Sequence, residues 1–169
     1  MKKIILLVAF FATALTQVTF AQDSTYTSVE QVITSYLNVK NALTRDKPDS
    51  ARAYANILSN DVLKVTKKNL SANQHTAWMK YSDALSVDAI TIGKSSDLKT
   101  QRKTFASLSS TFYKMLKDLN INTTDIFYQY CPMADAYWIS ENPKIQNPYY
   151  GKQMSSCGST KETLKAIQE

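Results

Sequence analysis

The stretch SSDLKTQRKTFASLSSTFYKMLKDL, residues 95–119, places Leu98, Phe105, Leu108, Phe112, Leu116 and Leu119 at steps of seven, three, four, four and three. Such steps keep large apolar side chains on one stripe of an α-helix, and no Pro or Gly interrupts them. The helix is expected to start near Ser95 or Ser96, where a hydroxyl can accept a free first-turn N–H. A lone amphipathic helix cannot bury its stripe, so the rest of the chain must supply partners.

Three partners precede it. Val29, Val32, Ile33, Tyr36, Leu37 and Leu43 recur at helical spacing, with Ser28 as the expected N-cap and Gln31 as its capping-box partner. Pro48 sits where a second helix should begin, which suits its fixed φ and missing N–H, and Ala51, Tyr54, Ala55, Leu58, Val62 and Val65 then share a face. A third helix is predicted from about Ser71 to Ile92, with Trp78, Tyr81, Leu85 and Ile92 inward and Gly93 closing it. The connections are short. A mainly α fold follows, an up-and-down four-helix bundle whose body spans residues 28–119.

Composition changes past residue 120, where Pro132, Pro143, Pro148, Gly151, Gly158 and half of the tyrosines gather. Asp125 to Tyr130 and Tyr137 to Ile139 read as short extended pieces. Asn142-Pro143 and Asn147-Pro148 read as turns, and Lys161 to Ile167 as a short closing helix. Residues 120–169 are thus an aromatic, turn-rich C-terminal segment of a single domain, 22–169.

Residues 1–21 are set apart from that domain. Lys2 and Lys3 lead an apolar run from Ile4 to Leu15 broken only by Thr13, and Thr19-Phe20-Ala21 offers small residues at a cleavage point. That order is expected of a secretory signal peptide, and the run is shorter than the about 20 residues a membrane span needs. The mature protein is then periplasmic or secreted, with no membrane span. Removing Lys2 and Lys3 takes the formal charge from +6 to +4. The remaining lysines are scattered, Lys67-Lys68 being the densest mature pair, so a nucleic-acid partner is not expected.

The candidate chemistry lies in sulfur. Cys131-Pro132-Met133 and Met154-Ser-Ser-Cys157 each pair a cysteine with a methionine within three residues. Brought together, Cys131, Met133, Met154 and Cys157 would offer two thiolates and two thioethers, a soft donor set that favours Cu(I). Structural zinc sites use Cys, His and carboxylates, and iron–sulfur clusters usually need four thiolates. The competing reading is a Cys131–Cys157 disulfide, which would close a loop of about 26 residues and stabilise by about 3–4 kcal/mol in the chain-entropy picture. The methionines would then be gap-fillers against aromatic rings, and Tyr149-Tyr150 beside Trp138 could form a partner surface. The readings need not exclude each other, since a disulfide can be reduced before metal loading.

His75, the sole histidine, is a possible further ligand, with a surface position at the start of its helix as the ordinary alternative. Trp138 could lay its ring over a bound cation, or be core. Arg102 shares the face of Leu98 and Phe105, so it is expected to be partly buried, capping carbonyls or pairing with Asp135 or Glu141. No G-x-S-x-G, H-E-x-x-H or phosphate loop occurs, and a cysteine nucleophile would have only His75 as base, so the chain reads as non-catalytic.

Tyr128-Gln-Tyr-Cys-Pro-Met133, Tyr137-Trp-Ile-Ser-Glu141, Ile145-Gln-Asn-Pro-Tyr-Tyr-Gly151, Met154-Ser-Ser-Cys-Gly158 and Gln101-Arg102-Lys-Thr-Phe105 together resemble an uncharacterised bacterial periplasmic domain family. The resemblance covers nearly all of the mature chain and is most specific from Tyr128 to Gly158. That family includes small exported proteins and domains appended to the membrane-fusion adaptors of copper/silver-type heavy-metal efflux systems. The resemblance implies a helical bundle working near metal export, with Cu(I) or Ag(I) as the ion and an efflux adaptor as a possible partner. The chain lacks an adaptor body, so it implies a stand-alone metallochaperone, buffer or accessory subunit.

Overall fold

Four helices form where the apolar stripes require them: α1 (Ser24–Thr44), α2 (Pro48–Lys64), α3 (Ala72–Lys94) and α4 (Leu98–Leu119). The computed structural model describes residues 24–65 and 70–167, with side chains from Val29 on. The expected signal peptide, 1–21, lies outside the described residues. No helix among the described residues is long and apolar enough to cross a membrane.

The helix ends show what the stripes alone did not. α1 begins at Ser24, before the expected cap at Ser28. Pro48 opens α2 as expected. α3 starts on a complete capping box, with the Gln74 N–H donating to Ser71 Oγ (3.3 Å) and the Ser71 N–H donating to Gln74 Oε1 (3.0 Å). Gly93 does not close α3, which runs on to Lys94. A Cβ at Gly93 would overlap the Asn56 side chain, so this glycine serves the close approach of α2 and α3. Asp97, not Ser95 or Ser96, caps α4, accepting from the Thr100 N–H at 2.8 Å. Asn120, in the left-handed region at φ 47°, ends it.

The helices alternate in direction. Ser35 on α1 donates to Asp61 on α2 (2.6 Å), and Tyr81 on α3 donates to Asp118 on α4 (2.6 Å). α4 returns to α1 through Tyr36, a fully buried side chain stacked on Phe105 and tilted against Phe112. Its hydroxyl shares a hydrogen bond with Ser109 Oγ (2.7 Å) and accepts from the Ile139 N–H (3.2 Å). Burial pushes that hydroxyl well above the usual tyrosine range, so it stays neutral.

Beyond the bundle the chain forms β1 (Ile126–Cys131), β2 (Ala136–Ser140), a 3-10 turn (Gly151–Met154) and β3 (Ser159–Leu164). β1 is central, paired antiparallel with β2 on one edge and β3 on the other. The expected extended pieces at Asp125–Tyr130 and Tyr137–Ile139 fall in β1 and β2. The expected closing helix at Lys161–Ile167 is instead strand β3 and its exit. Lys, Glu and Leu favour a helix locally, but the free edge of β1 offers backbone partners as far as Leu164. Side chains hold it there. Asn122 donates to Leu164 O (3.3 Å) and Lys165 O (2.9 Å), Asp125 pairs with Lys165 (2.8 Å), and Glu162 accepts from Tyr113 and Lys117.

Replacing Tyr36 with Phe strands the Ser109 hydroxyl and the Ile139 N–H in the interior, and the expected loss is about 1–3 kcal/mol of stability by urea denaturation. Tyr54→Phe, on the exposed side of α2, is expected to change stability by less than about 0.5 kcal/mol.

Candidate metal centre

Strand pairing assembles the sulfur site. Cys131 ends β1 opposite Ala136, and Pro132 to Asp135 make the hairpin loop, with Asp135 in the left-handed region (φ 45°). On the other edge Tyr130 pairs with Ser159. That register delivers Cys157, two residues before Ser159, to the side of Cys131. The two sulfurs lie 3.2 Å apart as free thiols. Cys131 is fully buried and Cys157 half-buried. Gly158 makes the approach possible: at φ 142° its missing Cβ would stand 2.8 Å from Tyr130 O and 2.9 Å from the Trp138 ring.

One residue holds the incoming loop. Asn147, fully buried, donates from Nδ2 to Cys157 O (2.8 Å) and accepts on Oδ1 from the Tyr149 (2.8 Å) and Tyr150 (3.2 Å) N–H groups. Its own N–H donates to Ser155 O at 2.9 Å. In the sequence Asn147-Pro148 signals only a turn; no spacing rule marks an asparagine that ties a turn to a cysteine.

Arg102 anchors the same loop to the bundle. It donates to Pro148 O (2.9 Å), Leu43 O (3.1 Å) and Asp46 Oδ1 (2.5 Å), while Asp46 also accepts from the Lys152 N–H (3.1 Å). Burial and carbonyl capping are as expected, but the carboxylate is Asp46, not Asp135 or Glu141. Partial burial of Asp46 is outweighed by Arg102 and the Lys152 N–H, which hold its carboxyl below the usual range. Glu141 pairs instead with Lys40 (2.5 Å), a fully buried lysine that the helical stripe did not single out.

The two thiols are electrostatically unequal. Burial alone would raise Cys131, but the Cys157 thiol, the Ala134 N–H, the Asn147 side chain and the Met133 N–H bring it below the ordinary thiol value. Cys157, holding its proton toward Cys131, is pushed up. Cys131 is therefore the first to ionise.

The other expected ligands separate into two groups. Met133 and Met154 lie on the segments flanking the pair. Met133 stands in the hairpin loop with its side chain exposed (63 %), and Tyr150 donates to its carbonyl at 3.0 Å. Met154 ends the 3-10 turn, and its carbonyl accepts from the Cys157 N–H at 3.1 Å. His75 is elsewhere: it follows Gln74, which reaches Leu119 O at the far end of α4. The sulfur-bearing loop meets α4 at Arg102, about 25 Å of helix away. Trp138 is fully buried, edge-on to Tyr149 (5.9 Å between centroids), with no open ring face for a cation. Tyr149 is buried as well, so of the expected partner surface only Tyr150 is partly exposed. Among the described residues no three His, Cys, Asp or Glu side chains cluster.

Residues 32–124 match the model of a family described as Protein of unknown function (DUF3347). No curated protein and no solved structure matches the chain. The matched residues run from α1 past the end of α4 and stop before β1, so both cysteines and both flanking methionines lie beyond them.

Gly151→Ala tests the anchoring of the loop. Gly151 is left-handed (φ 54°), and a Cβ there would collide with Asp46 and stand 2.5 Å from Arg102 Nη2. The backbone strain alone is worth about 1–2 kcal/mol. The expected outcome is at least that loss in urea denaturation, together with faster labelling of Cys157 by a thiol reagent in the native protein.

Proposed function

The chain belongs to the family described as Protein of unknown function (DUF3347), and from its sulfur site we propose that it is an exported soft-metal-binding protein, a Cu(I) or Ag(I) carrier, buffer or accessory factor for heavy-metal efflux. The observation that carries this reading is the near contact of Cys131 and Cys157, 3.2 Å apart, between two segments that each carry a methionine. Two thiolates sharing one ion at metal–sulfur distances of about 2.3 Å stand about 3.8 Å apart in tetrahedral geometry, so the pair needs to open by only about half an ångström. Half-buried Cys157 lies on a loop, where such a shift is cheap.

The donor chemistry fits a soft monovalent ion. Cys131 and Cys157 would supply thiolates, and Met133 and Met154, on the two segments that carry them, would supply thioethers. Asn147 would keep Cys157 in place as the ion enters, and the N–H groups of Met133 and Ala134 would stabilise the anionic Cys131 sulfur. A Cu(I) or Ag(I) ion would offset one of the two thiolate charges and leave the other to the surrounding N–H groups. The signal peptide expected over residues 1–21 and the resemblance to efflux-associated domains support the periplasm as the setting and an efflux adaptor as the partner.

A second reading is favoured by the same distance: a non-catalytic interaction module stapled by a Cys131–Cys157 disulfide. Thiol counting in the native protein after mild reduction separates the two, since two reactive thiols are incompatible with a permanent staple.

The metal reading is tested by competing the reduced protein against a chromogenic Cu(I) chelator. One ion per chain is expected. Cys131→Ser and Cys157→Ser should each weaken binding by tenfold or more, about 1.4 kcal/mol, and Met133→Leu or Met154→Leu by a smaller factor, with His75→Ala without effect. Binding no tighter than in the variant lacking both cysteines would sink the reading.

A further inference from the structure

We propose that Cys131 and Cys157 exchange with external disulfides, with Cys157 entering the reaction first and Cys131 closing the bond. The geometry is asymmetric in a way a structural staple has no need of. Cys131 ends the central strand, fully buried and fixed by ladders on both edges of β1. Cys157 sits in the loop before β3 and is only half-buried, the more accessible of the two residues. An external disulfide can reach Cys157 and cannot reach Cys131. Once Cys157 carries a mixed disulfide, the Cys131 sulfur, 3.2 Å away, is already within attacking distance. No strand has to move. A disulfide formed here stays accessible through Cys157, so thiols can reopen it.

The steps balance. The Cys157 thiol hands its proton to the neighbouring Cys131 thiolate as its sulfur attacks one sulfur of an external disulfide, RS–SR. The S–S bond of RS–SR breaks, and RS⁻ leaves, taking up the proton now on Cys131. The Cys131 thiolate then attacks the Cys157 sulfur and displaces the second RS⁻, which takes up from solvent the proton that Cys131 first released. The two cysteines lose two electrons as one S–S bond forms, and RS–SR becomes two RSH. Excess RSH drives the sequence backwards. The exchange does not rest on the metal reading. Its consequence does: only the dithiol form offers two thiolates, so oxidation would empty the soft-metal site.

The test uses the metal-free full chain with oxidised glutathione as probe, acid quenching and mass analysis. The wild type is expected to lose two hydrogens, passing through a mixed disulfide that peptide mapping places on Cys157, and to be restored by reduced glutathione without denaturant. Cys131→Ser should trap the mixed disulfide at Cys157, and Cys157→Ser should form one at Cys131 at least about tenfold more slowly. Equal rates in the two variants, first modification at Cys131 in the wild type, or an internal disulfide that resists reduced glutathione in the native state would each overturn the proposal. Cu(I) titration of the reduced and oxidised forms runs alongside. Failure of the reduced form to bind Cu(I) removes the metal reading while leaving the exchange result standing.

Discussion

Everything at the sulfur site depends on the backbone register between β1 and β3. Cys131 and Cys157 are 26 residues apart in the chain and 3.2 Å apart in space, and what joins them is the pairing of Ile126 with Leu164 at one end and Tyr130 with Ser159 at the other. A slip of one residue would move Cys157 by about 3.3 Å and turn alternate side chains to the opposite face. The pins against such a slip lie far from the cysteines. Asn122 binds the carbonyls that follow β3, Asp125 takes Lys165 and the Ala166 N–H, and Glu162 sits between Tyr113 and Lys117. The ion pairs are exposed and each is worth little, but register needs only that the alternatives be worse. A bulge between Tyr128 and Gln129 adds a landmark that no shifted pairing reproduces.

The bundle supplies the platform through one face of α1. Tyr36 receives the Ile139 N–H, Lys40 reaches Ser140 and Glu141, and Leu43 offers its carbonyl to Arg102. These positions are separated by four and three residues, so they stack along one side of the helix. The α1–α2 turn extends the line with Asp46, which holds both Arg102 and the Lys152 N–H. In this way β2, the turn at Asn147 and the 3-10 turn are docked along α1, with α4 beside it contributing Arg102, Tyr113 and Lys117. Lys40 illustrates the cost. Burial pushes its ammonium below the ordinary lysine range, against the pull of Glu141, and a buried ion pair is weak evidence of stability. What the pair does secure is position, since an unpaired ammonium at that depth would be far worse.

The helical stripes were legible because periodicity alone decides them: Val32, Tyr36, Leu43, Leu58, Trp78, Leu85, Phe105 and Phe112 all face the core. The ends were less so. Gly93 looked like a terminator, but its role is set by Asn56 on another helix. Lys161–Ile167 looked helical because local propensity carries no record of an unpaired strand edge some thirty positions earlier. The sulfur set was visible as four residue names, and the proximity of the two cysteines follows from the strand that was misread. Asn147, Asp46 and Lys40 gave no signal, since each matters only through a partner distant in sequence. His75 was chemically eligible and geometrically remote, a distinction that composition cannot make.

The family match and the sulfur site divide the chain between them. Residues 32–124 hold the platform, and Cys131 to Cys157 hold the donors. A shared scaffold fixes where loops can be mounted, not what chemistry they carry, so the functional argument has to be made from the hairpin loop and the turn that faces it. There the decisive feature is unequal access. Cys131 is sealed beneath N–H donors that favour its thiolate, while Cys157 is half-buried and Met133 exposed. A permanent staple gains nothing from a less buried half, and a buried core cluster would not leave a methionine 63 % exposed beside it. A buried thiol flanked by N–H groups beside a less buried one is the arrangement that the proposed exchangeable site requires, whether its occupant is an ion or a disulfide bond.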